Sequence, residues 1–223
     1  MTVTLLFGLL VFAAVTSITP GPNNLMLMTS GANFGFRRTL PHLAGVTVGF
    51  GLMNVIVGFG LGRLITEAPS LHGALQIAGT TYLLYLAWRI ATSRGIGGGN
   101  ATARPMRFLE AVAFQTVNVK AWTMSLGAFA TYAVAGELAA TIALITGMFV
   151  VVGIPCSVTW TAFGVGLKRA LGNPRALRAF NIVMALLLVA SLAPTAANAL
   201  PTTSDLEIDA WLAGRPCSQH PLS

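Results

Sequence analysis

Lys120 is out of keeping with its surroundings. It lies about 12 residues past Phe108, in an apolar run that begins there, or roughly 18 Å along a helix, which is far for an ammonium to snorkel back to water. No Asp or Glu lies deep in any apolar run of the chain, so a transported anionic group could be its partner. The alternative is that the run starts several residues later, or that the side chain reaches outward after all. A second unusual stretch is Thr19-Pro20-Gly21-Pro22-Asn23-Asn24, which sets two prolines and a glycine inside the first apolar run. Prolines remove backbone donors and free carbonyls that lipid cannot satisfy, so such a break must face protein or a water-filled cavity. A helix restarting near Asn23 would aim unpaired N–H groups and a positive dipole end into that cavity, which suits a carboxylate. Pro22, Asn23 and Asn24 are therefore candidate anion-binding positions, and the freed carbonyls would suit an ammonium. A simple kink or an early loop is the competing reading.

The elements that must position these residues follow from composition. Of 223 residues, 55% are hydrophobic and 9% charged, against about 25% charged in a soluble domain. A soluble globular protein, a disordered chain and a coiled coil are all excluded by these numbers. Runs long enough to cross about 30 Å of hydrocarbon as helix occur at Leu5–Met28, Leu40–Leu64, Leu71–Ala91, Phe108–Tyr132, Ala139–Phe163 and Ala179–Leu200. The expected class is an all-α integral membrane protein of six transmembrane helices, the first broken at Pro-Gly-Pro. A transmembrane barrel would alternate polar and apolar residues, and Ala185-Leu186-Leu187-Leu188-Val189-Ala190 does not. The first run lacks the basic residue that opens a signal peptide and is read as a retained helix.

The net charge of +7, from 13 Lys and Arg against 6 Asp and Glu, would suggest nucleic acid in a soluble chain. Here the cations are topological. Arg37, Arg38, Arg89, Arg94, Arg104, Arg107, Lys168, Arg169, Arg175 and Arg178 all fall in odd-numbered loops, whereas the even loops and the tail hold Arg63 and Arg215 beside Glu67, Glu137, Asp205, Glu207 and Asp209. The positive-inside rule then puts both termini outside and the protein, multi-pass, in the inner membrane. Tyr82, Tyr85 and Trp88 read as an interfacial aromatic belt. Cys156 and Cys217 are too far apart in this scheme to be a redox pair.

Three spans per half would make two related halves, 1–100 and 101–200, inverted repeats. Gly49 followed by Phe59-Gly60-Leu61-Gly62 is echoed by Gly153 followed by Phe163-Gly164-Val165-Gly166. A chance match among many glycines, or close helix packing through small residues, would produce the same echo. Residues 201–223 form a polar tail, either a short external helix or a disordered end.

At these residues the sequence resembles the LysE/RhtB family of amino-acid exporters. The likeness rests on Thr19 to Asn24, Gly31…Gly35-Phe36-Arg37, Leu43-Ala44-Gly45…Gly49-Phe50 and Ala78-Gly79…Tyr82-Leu83…Leu86-Ala87-Trp88. Much of the family carries Asn-Pro-Lys-Ala in span four, where this chain has Val119 for the proline, which puts a second helix break in doubt. Val117-Asn118-Val119-Lys120, Trp88 to Ser93 and Asn181 to Leu188 resemble the cysteine/O-acetylserine exporter branch. The resemblance implies proton-driven efflux of a small amino acid and points to Pro20, Gly21, Pro22, Asn23, Asn118 and Lys120. A single deep cation favours a neutral amino acid, since a second cation would be repelled in low dielectric. Proton-coupling candidates are Lys120, His42 and Glu110, the last two equally readable as ordinary interfacial residues. No cofactor and no metal site is expected, since His42, His72 and His220 form no HExxH motif and no acidic pair exists; an enzyme is not expected. The expected partners are the amino acid, protons and lipid, with self-association left open and nucleic acid excluded. A passive channel or a structural membrane subunit is the alternative.

Overall fold

A computed structural model describes residues 3–61, 69–92, 104–134, 137–171 and 174–190, all within one compact unit, 1–191. The glycine-rich loop 93–99, Arg63, Glu67, Gly62, Cys217, His220 and the tail 201–223 lie outside the described residues, as does the end of the sixth expected span. Among the described residues there is helix and no strand. The elements are α1 (Val3–Ile18), α2 (Pro22–Phe34), α3 (Phe36–Ile56) running into a π-wound stretch (Val57–Leu61), α4 (Pro69–Ala91), α5 (Phe108–Gln115), α6 (Val119–Tyr132), α7 (Leu138–Leu171) and α8 (Pro174–Ala190).

Phe36–Gly60 and Leu138–Leu167 are each long and apolar enough to cross a bilayer, and α1 with α2 makes a third such run, bent by 52° at its break. The remaining apolar runs are α4, the pair α5 and α6, and α8. The surface is apolar where a soluble protein's would be polar. Phe7, Val15, Phe59, Trp88, Leu109, Val151, Phe163 and Leu186 all stand exposed, as side chains facing hydrocarbon do. Tyr85 and Trp88 are among them, while Tyr82 packs on Phe114 at 5.8 Å between ring centroids.

The inside is largely apolar but holds buried polar residues, Asn24, Asn33, Asn54, Gln115, Asn118 and Asn181 among them. From Asn24 to Asn33 every residue of α2 is buried. Asn33 of α2 and Asn181 of α8 exchange amide hydrogen bonds at 2.7 and 2.9 Å, although 148 residues separate them. In lipid, helices gain little from burying apolar surface, so close approach through small residues has to supply the packing. A Cβ on Gly31 would run into the Thr161 carbonyl of α7, and one on Gly164 into the Met28 carbonyl of α2. Gly45 and Gly49 of α3 likewise admit the Phe108 carbonyl and Val112 of α5. Gly60, at φ +89°, takes the left-handed conformation that only glycine adopts freely and ends the π-wound stretch.

These approaches set a test. Gly164→Ala is expected to lower the thermal midpoint of the detergent-solubilised protein markedly, because backbone rather than a movable side chain stands in the way. Gly147→Ala, at an exposed position of the same helix with open space around its Cβ, should leave the midpoint unchanged or slightly raised, by under about 1 kcal/mol.

Candidate functional site

The first break runs from Thr19 to Gly21. Pro20 and Pro22 cannot donate, so the last carbonyls of α1 lose their helical partners. Each finds a side chain instead. Asn24 Nδ2 donates to the carbonyls of Ser17 (2.7 Å) and Thr19 (3.0 Å), and Trp160 Nε1 of α7 donates to that of Ile18 (3.2 Å). Lys120 Nζ, from the second half of the chain, donates to the Thr19 carbonyl at 2.7 Å. Helix α2 then starts at Pro22 with extended Gly21 before it, and its first intrahelical bond is from Leu25 N–H to Gly21. The backbone N–H groups of Asn23 and Asn24 therefore precede that bond.

The second break is real although Val119 stands where a proline would. The N–H groups of Thr116, Val117 and Asn118 each bond three residues back, to Ala113, Phe114 and Gln115, so α5 tightens in its last turn and stops. Thr116 Oγ1 bonds the Ala113 carbonyl at 2.8 Å, and Trp122 Nε1 takes the Thr116 carbonyl at 2.9 Å. These polar groups compete with the helix for its own carbonyls. Asn118, an amide at a position where helices favour amides, then heads α6 in extended conformation. Doubt about a helix break here is thus resolved in its favour.

The two breaks meet. Asn23 and Gln115 exchange side-chain amide bonds at 2.9 and 3.2 Å, with Gln115 also tied to the Ala111 carbonyl. A cavity of about 70 Å³ lies beside them, lined by Ser17, Gly21, Asn23 and Asn24 from the first break and by Asn118, Lys120 and Ala121 from the second. Thr47, Phe50 and Gly51 of α3 and Phe149, Val150, Gly153 and Ser157 of α7 complete its wall. That is room for roughly five to seven water-sized groups, the size of a small amino acid. Two helix N-termini and one ammonium converge here, and among the described residues no carboxylate lines the cavity. Such an arrangement favours negative charge.

Of the residues singled out in the sequence, Gly21, Asn23, Asn24, Asn118 and Lys120 line this cavity, and Pro20 and Pro22 shape the break beside it. Asn118 is 2% exposed with Oδ1 unpartnered. Glu110 and His42 are not part of the cavity. The Glu110 carboxylate is held by both guanidinium nitrogens of Arg104, at 2.8 and 2.5 Å, and by the Arg107 N–H, a pairing that raises the Arg104 guanidinium above its usual pKa. His42 is buried beside a second cavity. The carbonyls freed by the prolines, expected to await an ammonium, are occupied, Thr19 by the ammonium of Lys120 itself. Gln115 and Trp160 were not foreseen, and nothing local in the sequence marks them.

These residues sit on a chain that matches the LysE type translocator family over residues 14–193. The protein belongs to that family. It is 32% identical over 191 residues to the cysteine/O-acetylserine efflux proteins of Escherichia coli K12 and Shigella sonnei, covering 85% of this chain and 96% of theirs. The relative from Escherichia coli O139:H28 is 31% identical over the same span. No solved structure matches the chain. As a LysE type translocator it is a membrane transport protein and not an enzyme.

One further feature borders the cavity. Asn54, Ser125 and Thr146 carry buried polar atoms with no hydrogen-bond partner. Each stands one helical turn from a cavity-lining residue: Asn54 from Gly51, Ser125 from Ala121, and Thr146 from Val150. The aromatic rings of Phe12, Phe50 and Phe149 pack edge to face nearby, at 5.1 and 6.3 Å between centroids.

Gly21 and Lys120 can be tested together. A Cβ on Gly21 would come within 2.6 Å of Lys120 Cδ, and the flexible chain would yield. Gly21→Ala should therefore displace the ammonium from Thr19, which keeps Asn24 Nδ2 as a donor, and lower stability by less than a backbone clash would. Transport is expected to fall by roughly one to two orders of magnitude, since a hydrogen bond to a charged group is worth about 1.5–3 kcal/mol. Initial rates in proteoliposomes against the thermal midpoint check this.

Proposed function

We propose that this translocator is a secondary exporter of small neutral amino acids or their derivatives, alternating access around the cavity between its two broken helices. What carries the reading is the convergence of the α2 and α6 N-termini with Lys120 on an amino-acid-sized cavity without an acid. The substrate carboxylate rests between the two helix starts and draws Lys120 to itself. That releases the Thr19 carbonyl, and the substrate ammonium takes the place Lys120 leaves. One carbonyl thus holds either the protein's ammonium or the substrate's. Cysteine or O-acetylserine, which the names of the relatives give, fits this scheme, as do threonine, homoserine and leucine. Lysine fits poorly, because its second ammonium would sit beside Lys120 in low dielectric.

The fold in this proposal is six spans in two inverted repeats, with both termini outside and the arginine-rich loops in the cytoplasm of a bacterial cell. Two helix starts that meet at one cavity, one from each half of the chain, support it, for this is how inverted-repeat transporters build their site. With that orientation α3 and α6 run outward and α7 inward. Asn54, Ser125 and Thr146 then all lie on the outward side of the cavity, behind the Phe12, Phe50 and Phe149 rings. We read them as the outward leg of the path, dry while the aromatic cluster is closed. Export is driven by the proton gradient. Lys120 is the coupling group of this reading, as the one titratable side chain that lines the cavity among the described residues.

Two experiments test it. Counterflow of labelled cysteine into proteoliposomes is expected from the wild type and not from Lys120→Met, which should remain folded. Preference for lysine would contradict the substrate class, and efflux without counterflow would favour a passive channel. Changing Asn54→Leu and Thr146→Val removes unpartnered polar atoms, at about 1–3 kcal/mol each. These variants should melt higher and bind substrate normally, yet transport more slowly. Unchanged transport rates would remove them from the path.

A further inference from the structure

A second cavity, of about 180 Å³, lies away from the first, between α2, α3, α4 and the 104–106 segment. It is more than twice the size of the central one. Its polar lining includes Thr29, Ser30, Asn33, His42, Arg89 and Arg104. Helix α2 serves both cavities, with Asn23 and Asn24 in its first turn at one and Thr29 to Asn33 at the other.

His42 decides what this space could hold. It is 2% exposed, and neither ring nitrogen has a hydrogen-bond partner. A neutral imidazole offers one N–H donor and one lone pair, so its occupant must both accept and donate. Charge supplies the second constraint. Arg104 is matched by Glu110 through two bonds, whereas Arg89 bonds no carboxylate among the described residues and feels Glu110 only through space. It donates to the Arg104 carbonyl at 3.4 Å and lies over the Tyr85 ring at 5.8 Å. A simple anion would answer Arg89 and the imidazole N–H but leave the lone pair unmet. A zwitterion answers Arg89 with its carboxylate and the lone pair with its ammonium, leaving the ring N–H, which points the other way, to water, and it is the occupant that the exporter reading supplies.

We propose that this cavity is a second amino-acid site, a cytoplasmic antechamber in which the substrate carboxylate lies against Arg89 and its ammonium donates to His42 before passage to the central cavity. The assignment rests on the exporter reading above and gives His42 a binding role. It also places the waiting substrate on the same helix whose first turn receives it next.

The test is binding stoichiometry on the full chain in nanodiscs, with radiolabelled L-cysteine under reducing conditions. The wild type is expected to bind two molecules per chain. His42→Leu, which removes unpartnered atoms and should fold, and Arg89→Gln should each bind one. Lys120→Met should also bind one, and the double variant His42→Leu with Lys120→Met none. One molecule per chain in the wild type, unaffected by His42→Leu or Arg89→Gln and lost in Lys120→Met, would overturn the antechamber and leave the exporter reading standing. No binding of cysteine or any other amino acid tried would overturn both. Displacement of the His42-dependent molecule by sulfate or propionate as effectively as by cysteine would show a simple anion site and overturn the zwitterion assignment. Arg89→Lys, keeping the charge, should retain two molecules with the His42-dependent one weakened severalfold.

Discussion

A carbonyl released from a helix inside a bilayer has no water to turn to, and the fold around the two breaks follows from that constraint. Pro20 and Pro22 guarantee the release. The protein answers with donors from Asn24, Trp160 and Lys120, which come from the helix beyond the break and from the second half of the chain. Because Thr19 takes one of its two bonds from a residue 101 positions away, the first break is fully satisfied only once α6 has docked. The Asn23 and Gln115 amides extend the same dependence to the second break. A kink satisfied within its own helix would not have needed these long-range bonds, so the arrangement is a junction between two broken helices.

In the proposed cycle that junction is also what makes transport chemistry available. Satisfying a freed carbonyl with an ammonium is stable yet exchangeable, since any other ammonium can do the same. A helix start is equally indifferent to which carboxylate it meets. Tight packing elsewhere, through Gly31 and Gly164 on one side and Gly45 and Gly49 on the other, holds the two N-termini against one cavity. What is rigid are the half-helices, and what can trade partners are their ends.

Much of this was legible in the sequence because the bilayer leaves few ways to place a proline or a charge. Thr19 to Asn24 announced a break, and Lys120 announced itself by depth alone. The positions of both followed from local composition. What could not be read was pairing. Gln115, Trp160 and the Asn33 and Asn181 couple are ordinary polar residues in apolar runs, and their partners stand 92 to 148 positions away. The break at Asn118 was hidden for another reason. It uses Thr116, Asn118 and Trp122 to do what a proline does elsewhere, and no single residue of the three signals a stop.

The central claim is that the substrate takes over the bond between Lys120 and Thr19. A structure of the protein with bound cysteine, at a resolution that shows side chains, tests it most directly. The account expects the substrate carboxylate between the starts of α2 and α6, Lys120 Nζ turned onto it, and the substrate ammonium on the Thr19 carbonyl. Cysteine bound elsewhere, or in that cavity with Lys120 still on Thr19, would contradict it.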